Sequence, residues 1–312
     1  MKILKWFGIG LVVLLLAVLI YVFIAHQQNF AESKRLNVET RAEAPGQFVE
    51  LPSGFTHYEL AGPEDAPVVV LVHGFSIPME IWGGTYRALR DAGYRVLRYD
   101  LLGRGYSDRP RVQYNGQVFE EQLIALLDAL DIQQPVVLAG LSMGGAVVMR
   151  TAANHPERVA GNILIAPLHQ PLQPPPMPER IGYYMLSGFY VPTIQQSLEA
   201  PYLLAEDSAA MQKAYSAQIS FRGFTQALTS SFYAFTTENH PQYYRQTREN
   251  NQPTQLIWGT QDAVVPYSYS EGVLADANVV DFLTVEGAGH TPHLEQAELV
   301  NQRILEFLRT ID

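Results

Sequence analysis

The stretch from Pro135 to Met149, PVVLAGLSMGGAVVM, restricts the fold more than any other part of the chain. A β-branched apolar run stops at Gly140, Ser142 follows, and small residues open a helix that must end near His155-Pro156, where proline forbids continuation. The run before the glycine is short and uniformly apolar, so it predicts a parallel strand covered on both faces. Gly140 and Gly144 flank Ser142 at minus two and plus two. A strand turning directly into a helix brings its two backbones almost into contact at those positions, where a side chain would clash. The serine at the apex is then held in strained geometry with its hydroxyl at the sheet edge.

The remaining segments supply the sheet around that strand. Phe55–Leu60 alternates like an early edge strand, and Val68–Val72 and Arg95–Asp100 read as further strands, the latter two separated by a short helix over Trp82–Ala92. Gln117–Leu130 carries Phe119, Leu123, Leu126, Leu127 and Leu130 on one face and predicts an amphipathic helix. Ala160–Ala166, Gln255–Trp258 and Val279–Leu283 add three strands, and a helix from about Glu295 closes the chain. Strands alternating with helices of this length predict a mostly parallel α/β sheet with helices on both faces. The alternation breaks after Pro167. Gln170–Pro178 is a stiff proline-rich segment, and from Ile181 to about Glu249 the pattern is helical and rich in aromatic residues, Tyr183, Tyr184, Tyr190, Tyr202 and Phe232 among them. The expected organisation is a core over 49–167 and 252–312, interrupted by a helical cap over 168–251.

The N-terminus is of another kind. Lys2 and Lys5 precede an uncharged run through Ala25, long enough to span a bilayer as a helix. A cleaved signal peptide shares the basic start and apolar middle, but cleavage after Ala25 would leave Phe23 at minus three, where a small residue is required. The expectation is an uncleaved single-pass anchor over 1–25, in a bacterial inner membrane, then a polar linker over 26–48 acting as a simple tether. Lys2 and Lys5 on one side balance Lys34, Arg35 and Arg41 on the other, so charge leaves the sidedness open. Across all 312 residues the net charge is −10, which opposes nucleic-acid binding, and the absence of cysteine excludes thiol catalysis and thiolate metal sites.

Serine needs a base to take its proton, and the base needs an orienting acid. Asp262 follows Trp258-Gly259-Thr260-Gln261, just past a strand, and His290 follows Gly287-Ala288-Gly289, just past the next. Ser142, Asp262 and His290 thus come in chain order at the carboxyl ends of strands, where open α/β sheets bind ligands. The rivals are weaker. His293 should open the last helix as a surface or supporting group, Asp100 leads into the tight Gly103-Arg104-Gly105 turn, and His73 reads as structural. The backbone N–H groups of Met143 and Phe75 are the expected oxyanion donors.

With these pieces placed, the chain resembles the α/β-hydrolase superfamily along everything after the linker. The resemblance rests on His73-Gly74-Phe75, Asp100 to Ser107, Gly140 to Gly145, Gly259 to Asp262 and Gly289-His290. An anchor with an inserted cap is similar to membrane-bound monoacylglycerol-lipase-type esterases. The elbow, Gly-x-Ser-Met-Gly-Gly, resembles that of meta-cleavage-product C–C hydrolases. Haloalkane dehalogenases and epoxide hydrolases of this fold carry aspartate at the elbow, and Ser142 counts against both. The resemblance implies a serine hydrolase of a small-molecule ester, lipid-derived where the anchored esterases are the guide, without metal or cofactor, with C–C hydrolysis or a silent binding scaffold as alternatives. It implies nothing about oligomeric state.

Overall fold

The computed structural model describes residues 2–174, 176–199 and 205–311, so Pro175 and Tyr202 of the proline-rich and aromatic stretches lie outside the described residues. A long helix α1 (Lys2–Asn29) and a short α2 (Val38–Ala42) precede the sheet strands β1 (Gln47–Leu51), β2 (Gly54–Ala61) and β3 (Val68–Val72). Then come α3 (Gly83–Asp91), β4 (Arg95–Tyr99), α4 (Gly116–Ala129), β5 (Val136–Leu141), α5 (Met143–Asn154) and β6 (Val159–Ile165). Between β6 and the next strand lie α6 (Glu179–Met185), a π-helical turn over Leu186–Tyr190, α7 (Val191–Ser197), α8 (Ala205–Ser220), α9 (Phe224–Ala234) and α10 (Pro241–Glu249). The chain ends with β7 (Thr254–Gly259), α11 (Ser270–Asp276), β8 (Val279–Val285), α12 (Pro292–Glu295) and α13 (Ala297–Ile311).

The described strands form one eight-stranded sheet in the order β1-β2-β4-β3-β5-β6-β7-β8. β1 and β2 enter antiparallel and every later pairing is parallel. The uniform apolarity of Val68–Val72 is explained by burial on both faces. Val70 and Val72 join Leu138, Leu164 and Trp258 in one core cluster, while Val69 and Leu71 join Ala139, Ile163 and Ile257 in the other. Side chains alternate across a strand, so two covered faces require apolar residues at every position. β1 escaped the sequence reading because QFVEL at a sheet edge is only half buried and carries a weak pattern.

The helices between β6 and β7 divide in two. α10 packs on α5 beside the sheet, its Gln246 amide donating to Ala153 O and its Tyr244 hydroxyl to Leu168 O. Helices α8 and α9 contact instead the loops at the carboxyl ends of β3 and β4, Gln218 donating to Ser76 O and Ser231 Oγ accepting from Arg104.

The expectation of a polar tether over 26–48 is corrected by the structure. α1 continues to Asn29, whose amide donates to Gly188 O. Ser33 and Lys34 amides donate to Ser220 O, and Arg222 N returns the bond to Lys34 O. The Glu32 carboxylate accepts from Gly223 N and Thr225 N at 2.6 and 2.7 Å, capping α9 where the helix dipole favours an anion. Arg41 then pairs with Asp108. Each of these contacts joins residues distant in sequence, so no local signal announces them. Replacing Glu32 by Ala leaves the first amides of α9 uncapped, and should lower stability by about 1–2 kcal/mol. Chemical denaturation of the full chain in detergent reads this, and a wild-type midpoint would contradict the capping role.

Candidate active site

Ser142 stands between β5 and α5 at φ 54°, ψ −119°, one of four described non-glycine residues at positive φ. Its surroundings leave no alternative. A Cβ on Gly140 would lie 2.5 Å from Gly144 O, and one on Gly144 would lie 2.3 Å from Val72 O. Three bonds fix the strained residue, Ser142 N to Ile165 O and Gly145 N and Leu168 N to Ser142 O. A turn so over-determined can hold an unfavourable backbone conformation costing on the order of 1–3 kcal/mol.

Asp262 and His290 are brought together. His290 Nδ1–H donates to Asp262 Oδ2 at 2.8 Å, while Asp262 Oδ1 accepts from Val264 N and Val265 N at 2.8 and 2.9 Å. The aspartate side chain is fully buried and that of His290 is partly exposed. The two loops are stitched to each other by Gln261 N to Ala288 O and Thr260 N to Val285 O. Among the described residues the Ser142 hydroxyl has no hydrogen-bond partner, so the serine is not bonded to His290 in this state. Side-chain bonds of this kind commonly tighten only when a substrate is bound.

Phe75 follows Gly74, where an added Cβ would sit 3.5 Å from Ser142 Cβ, so its loop lies directly against the serine. Met143 is the first residue of α5, and its amide belongs to the free N–H set at a helix start. His73 is structural. Its Nδ1–H donates to Gly74 O and its Nε2 accepts from Leu101 N, and burial lowers its pKa to about 4. Asp100 accepts from His57 Nδ1 at 2.7 Å and from the amides of Met79 and Tyr106. Burial disfavours its charge, but the bond to His57 prevails and holds the carboxyl below its ordinary range. Of the two expectations for His293, a surface or a supporting group, the surface one is corrected. His293 is buried against Trp82 with ring centroids 4.8 Å apart, bonds Ile81 O through Nε2, and is pushed by burial down to about 3. The first turn of the last helical segment faces the core, which its local sequence, Thr291-Pro292-His293, does not disclose.

Several supporting groups were not legible. Arg104, fully buried, donates from Nε to Phe75 O at 3.0 Å and from its Nη atoms to Leu102 O and Ser231 Oγ. Gln218 donates to Ser76 O and accepts from Gly105 N, and Tyr190 OH is hydrogen-bonded to Ser76 Oγ. Glu295 accepts from Gly289 N, Thr291 N and Thr291 Oγ1, clamping the backbone on either side of His290. Next to His290 opens a cleft of about 390 Å³ walled by Ile77, Ile81, Ile194, Leu198, Met211 and Leu294. Among the described residues neither lysine nor arginine lines it.

With this geometry in hand, the sequence matches the Alpha/beta hydrolase family over residues 69–303. The chain belongs to that family. It is 31% identical over 257 residues to the dihydrolipoyllysine-residue acetyltransferase component of the acetoin cleaving system of Pseudomonas putida, covering 81% of this chain and 66% of that protein. It is 29% identical over 284 residues to a 2-hydroxy-6-oxononadienedioate/2-hydroxy-6-oxononatrienedioate hydrolase of Paraburkholderia phymatum, covering 85% of this chain and 96% of the relative. Its fold is that of a thermophilic esterase from Thermogutta terrifontis, with TM-score 0.69, 24% identity, and coverage of 85% and 99% of the two chains. Family membership makes the chain an α/β-hydrolase-fold hydrolase.

Two outcomes follow for this hydrolase. Glu295→Ala releases three bonds around His290 and should lower kcat/KM about 10- to 100-fold, since small misplacements of a reacting group cost that much. Steady-state hydrolysis of a soluble substrate with far-UV circular dichroism as fold control measures it, and full activity would refute the clamp. Buried His73, His240 and His293 are all held neutral by burial, at about 4, 4 and 3. Once unfolded they protonate below about pH 6.5, so the unfolded chain binds three more protons there. Glu80, raised by burial and the Asp100 charge, opposes them with one. Stability should therefore fall on acidification from pH 6.5 towards 4.5, each group contributing up to about 1.4 kcal/mol per pH unit. Denaturation midpoints across that window test the sign.

Proposed function

We propose that this alpha/beta hydrolase cleaves carboxylic esters with an apolar acyl or alcohol part, through an acyl-enzyme on Ser142. The reading is carried by the Asp262–His290 pair, whose histidine borders an apolar cleft on the same strand ends as a serine held at positive φ. Ser142 Oγ attacks the ester carbonyl carbon as His290 Nε2 takes its proton. Asp262 holds Nδ1–H and so keeps Nε2 the basic nitrogen. The oxygen that gains charge is met by the N–H groups of Phe75 and Met143, the second at the positive end of α5. Collapse expels the alcohol with a proton from His290. Water then repeats the steps on the acyl-enzyme and releases the acid. The helices α6 to α9 act as a cap over this site.

A hydrolase of a C–C bond is the second reading, supported by the 29% identity to the hydrolase of a dioate. A dianionic substrate calls for cations, and the cleft beside His290 offers none from lysine or arginine. The ester reading is the better match.

α1 is read as a membrane anchor. Trp6–Asn29 is long and apolar enough to cross a bilayer, and nearly all of it is exposed. Cleavage after Ala25 would split a packed segment. Val22, Ala25 and His26 are buried, and His26 Nδ1 is hydrogen-bonded to Ser187 Oγ at 2.7 Å.

A fluorophosphonate probe should label wild-type protein and not Ser142→Ala, and turnover should drop about 10⁴-fold or more in that variant. Along a series of p-nitrophenyl esters, kcat/KM should rise about fourfold per added CH₂, from about 0.8 kcal/mol of burial each, until the cleft is full. A folded Ser142→Ala protein with near wild-type turnover overturns the mechanism. A maximum at acetate overturns the apolar-substrate reading alone.

A further inference from the structure

Two adjoining hollows, of about 350 and 720 Å³, open where the chain leaves α1. They share Arg109, Pro110 and Arg222, and Arg35 and Arg111 stand on their walls. Neither shares a lining residue with the cleft beside His290. In a protein of net charge −10, this concentration of arginine is unusual. The carboxylates within reach are already committed. Glu32 caps α9 through Gly223 N and Thr225 N, and Asp108 pairs with Arg41 and accepts from Phe55 N. Among the described residues Arg35, Arg111 and Arg222 are in no ion pair. At the floor, Arg109 spends its Nη atoms on Ser107 O and Gly105 O, while its buried Nε has no partner.

The hollow's position relative to α1 decides its ligand. An apolar run of 20 residues from Trp6 to Ala25 spans about 30 Å, and Arg35 follows shortly after it. Tyr183 lines the larger hollow and also packs on His26 and Phe30, at 5.8 and 6.3 Å between ring centroids. Its neighbour Tyr184 packs on Phe23 within the apolar run. Arginines at headgroup depth with aromatic rings leading down into the apolar layer match a phospholipid, not a free anion.

We propose that this crevice binds the phosphate of an anionic phospholipid of the phosphatidylglycerol class and seats the catalytic domain on the bilayer. The inference rests on the reading of α1 as an anchor. Full-length protein in dodecyl maltoside is titrated with ether-linked dioctyl phosphatidylglycerol, its phosphatidylcholine counterpart, and inorganic phosphate at fixed ionic strength, following the thermal unfolding midpoint. Phosphatidylglycerol should raise the midpoint saturably and the other two should not. Arg111→Gln/Arg222→Gln should weaken half-saturation roughly tenfold, the loss expected for charge-assisted contacts, while Arg111→Lys/Arg222→Lys retains selectivity. Hydrolysis of p-nitrophenyl acetate should be unchanged in both. An equal response to phosphatidylcholine or to phosphate, no response, or unchanged half-saturation in the glutamine variant overturns the inference. Carbonate extraction of membranes separates the two readings. Release of the chain overturns the anchor and the inference with it, whereas a retained chain blind to phosphatidylglycerol overturns the inference alone.

Discussion

Where β5 turns into α5, the Gly144 carbonyl comes within 2.5 Å of where a Cβ on Gly140 would be. That contact between two backbones lets the strand reverse into a helix within one residue, and Ser142 takes up the conformational cost. The neighbours must be equally close for the turn to persist. β3 supplies Val72 O against Gly144, and β6 supplies Ile165 O for the serine amide. A sheet with any other order around β5 would lose those partners. The strand order and the serine's exposure are therefore one constraint seen at two scales.

The loop after β3 depends on a second set of contacts. Arg104 is buried without a carboxylate, an arrangement that is costly unless its donors are satisfied. It is satisfied by two carbonyls and a hydroxyl, one of the carbonyls belonging to Phe75. Gln218 and Tyr190 hold Ser76 from the helices above. The proposed oxyanion loop is thereby shared between the sheet and the elements α8 and the π-helical turn. A movement of α8 or of the π-helical turn would be felt at Phe75, whose ring also stands 5.8 Å from that of Tyr190.

Local pattern disclosed the parallel sheet, the elbow, and the positions of Asp262 and His290 in loops past neighbouring strands, because each depends on short-range chemistry. Buried strands must be apolar throughout, a strand-to-helix reversal must be glycine-lined, and loops past strands collect polar groups. What stayed hidden depends on partners far along the chain. Nothing near Glu32 announces a helix start at Gly223, and nothing near Phe75 announces that Arg104 and Gln218 hold its loop. His293 misled because a helix-opening histidine is ordinarily solvated. Here Trp82 and Ile81 O cover it.

The contact of α1 with the π-helical turn bears on how the molecule is assembled. His26 and Ser187 are separated by 161 residues, yet they are hydrogen-bonded, and Gly188 is packed against the backbone of Ala25 and His26. During synthesis the N-terminal helix is complete long before its partner exists. Six strands of the sheet and the whole elbow are made in between. Closing so long a loop is a late event, since chain entropy opposes it until other contacts have shortened the effective distance. A helix made so long before its partner is thus among the later elements to find its place against the π-helical turn.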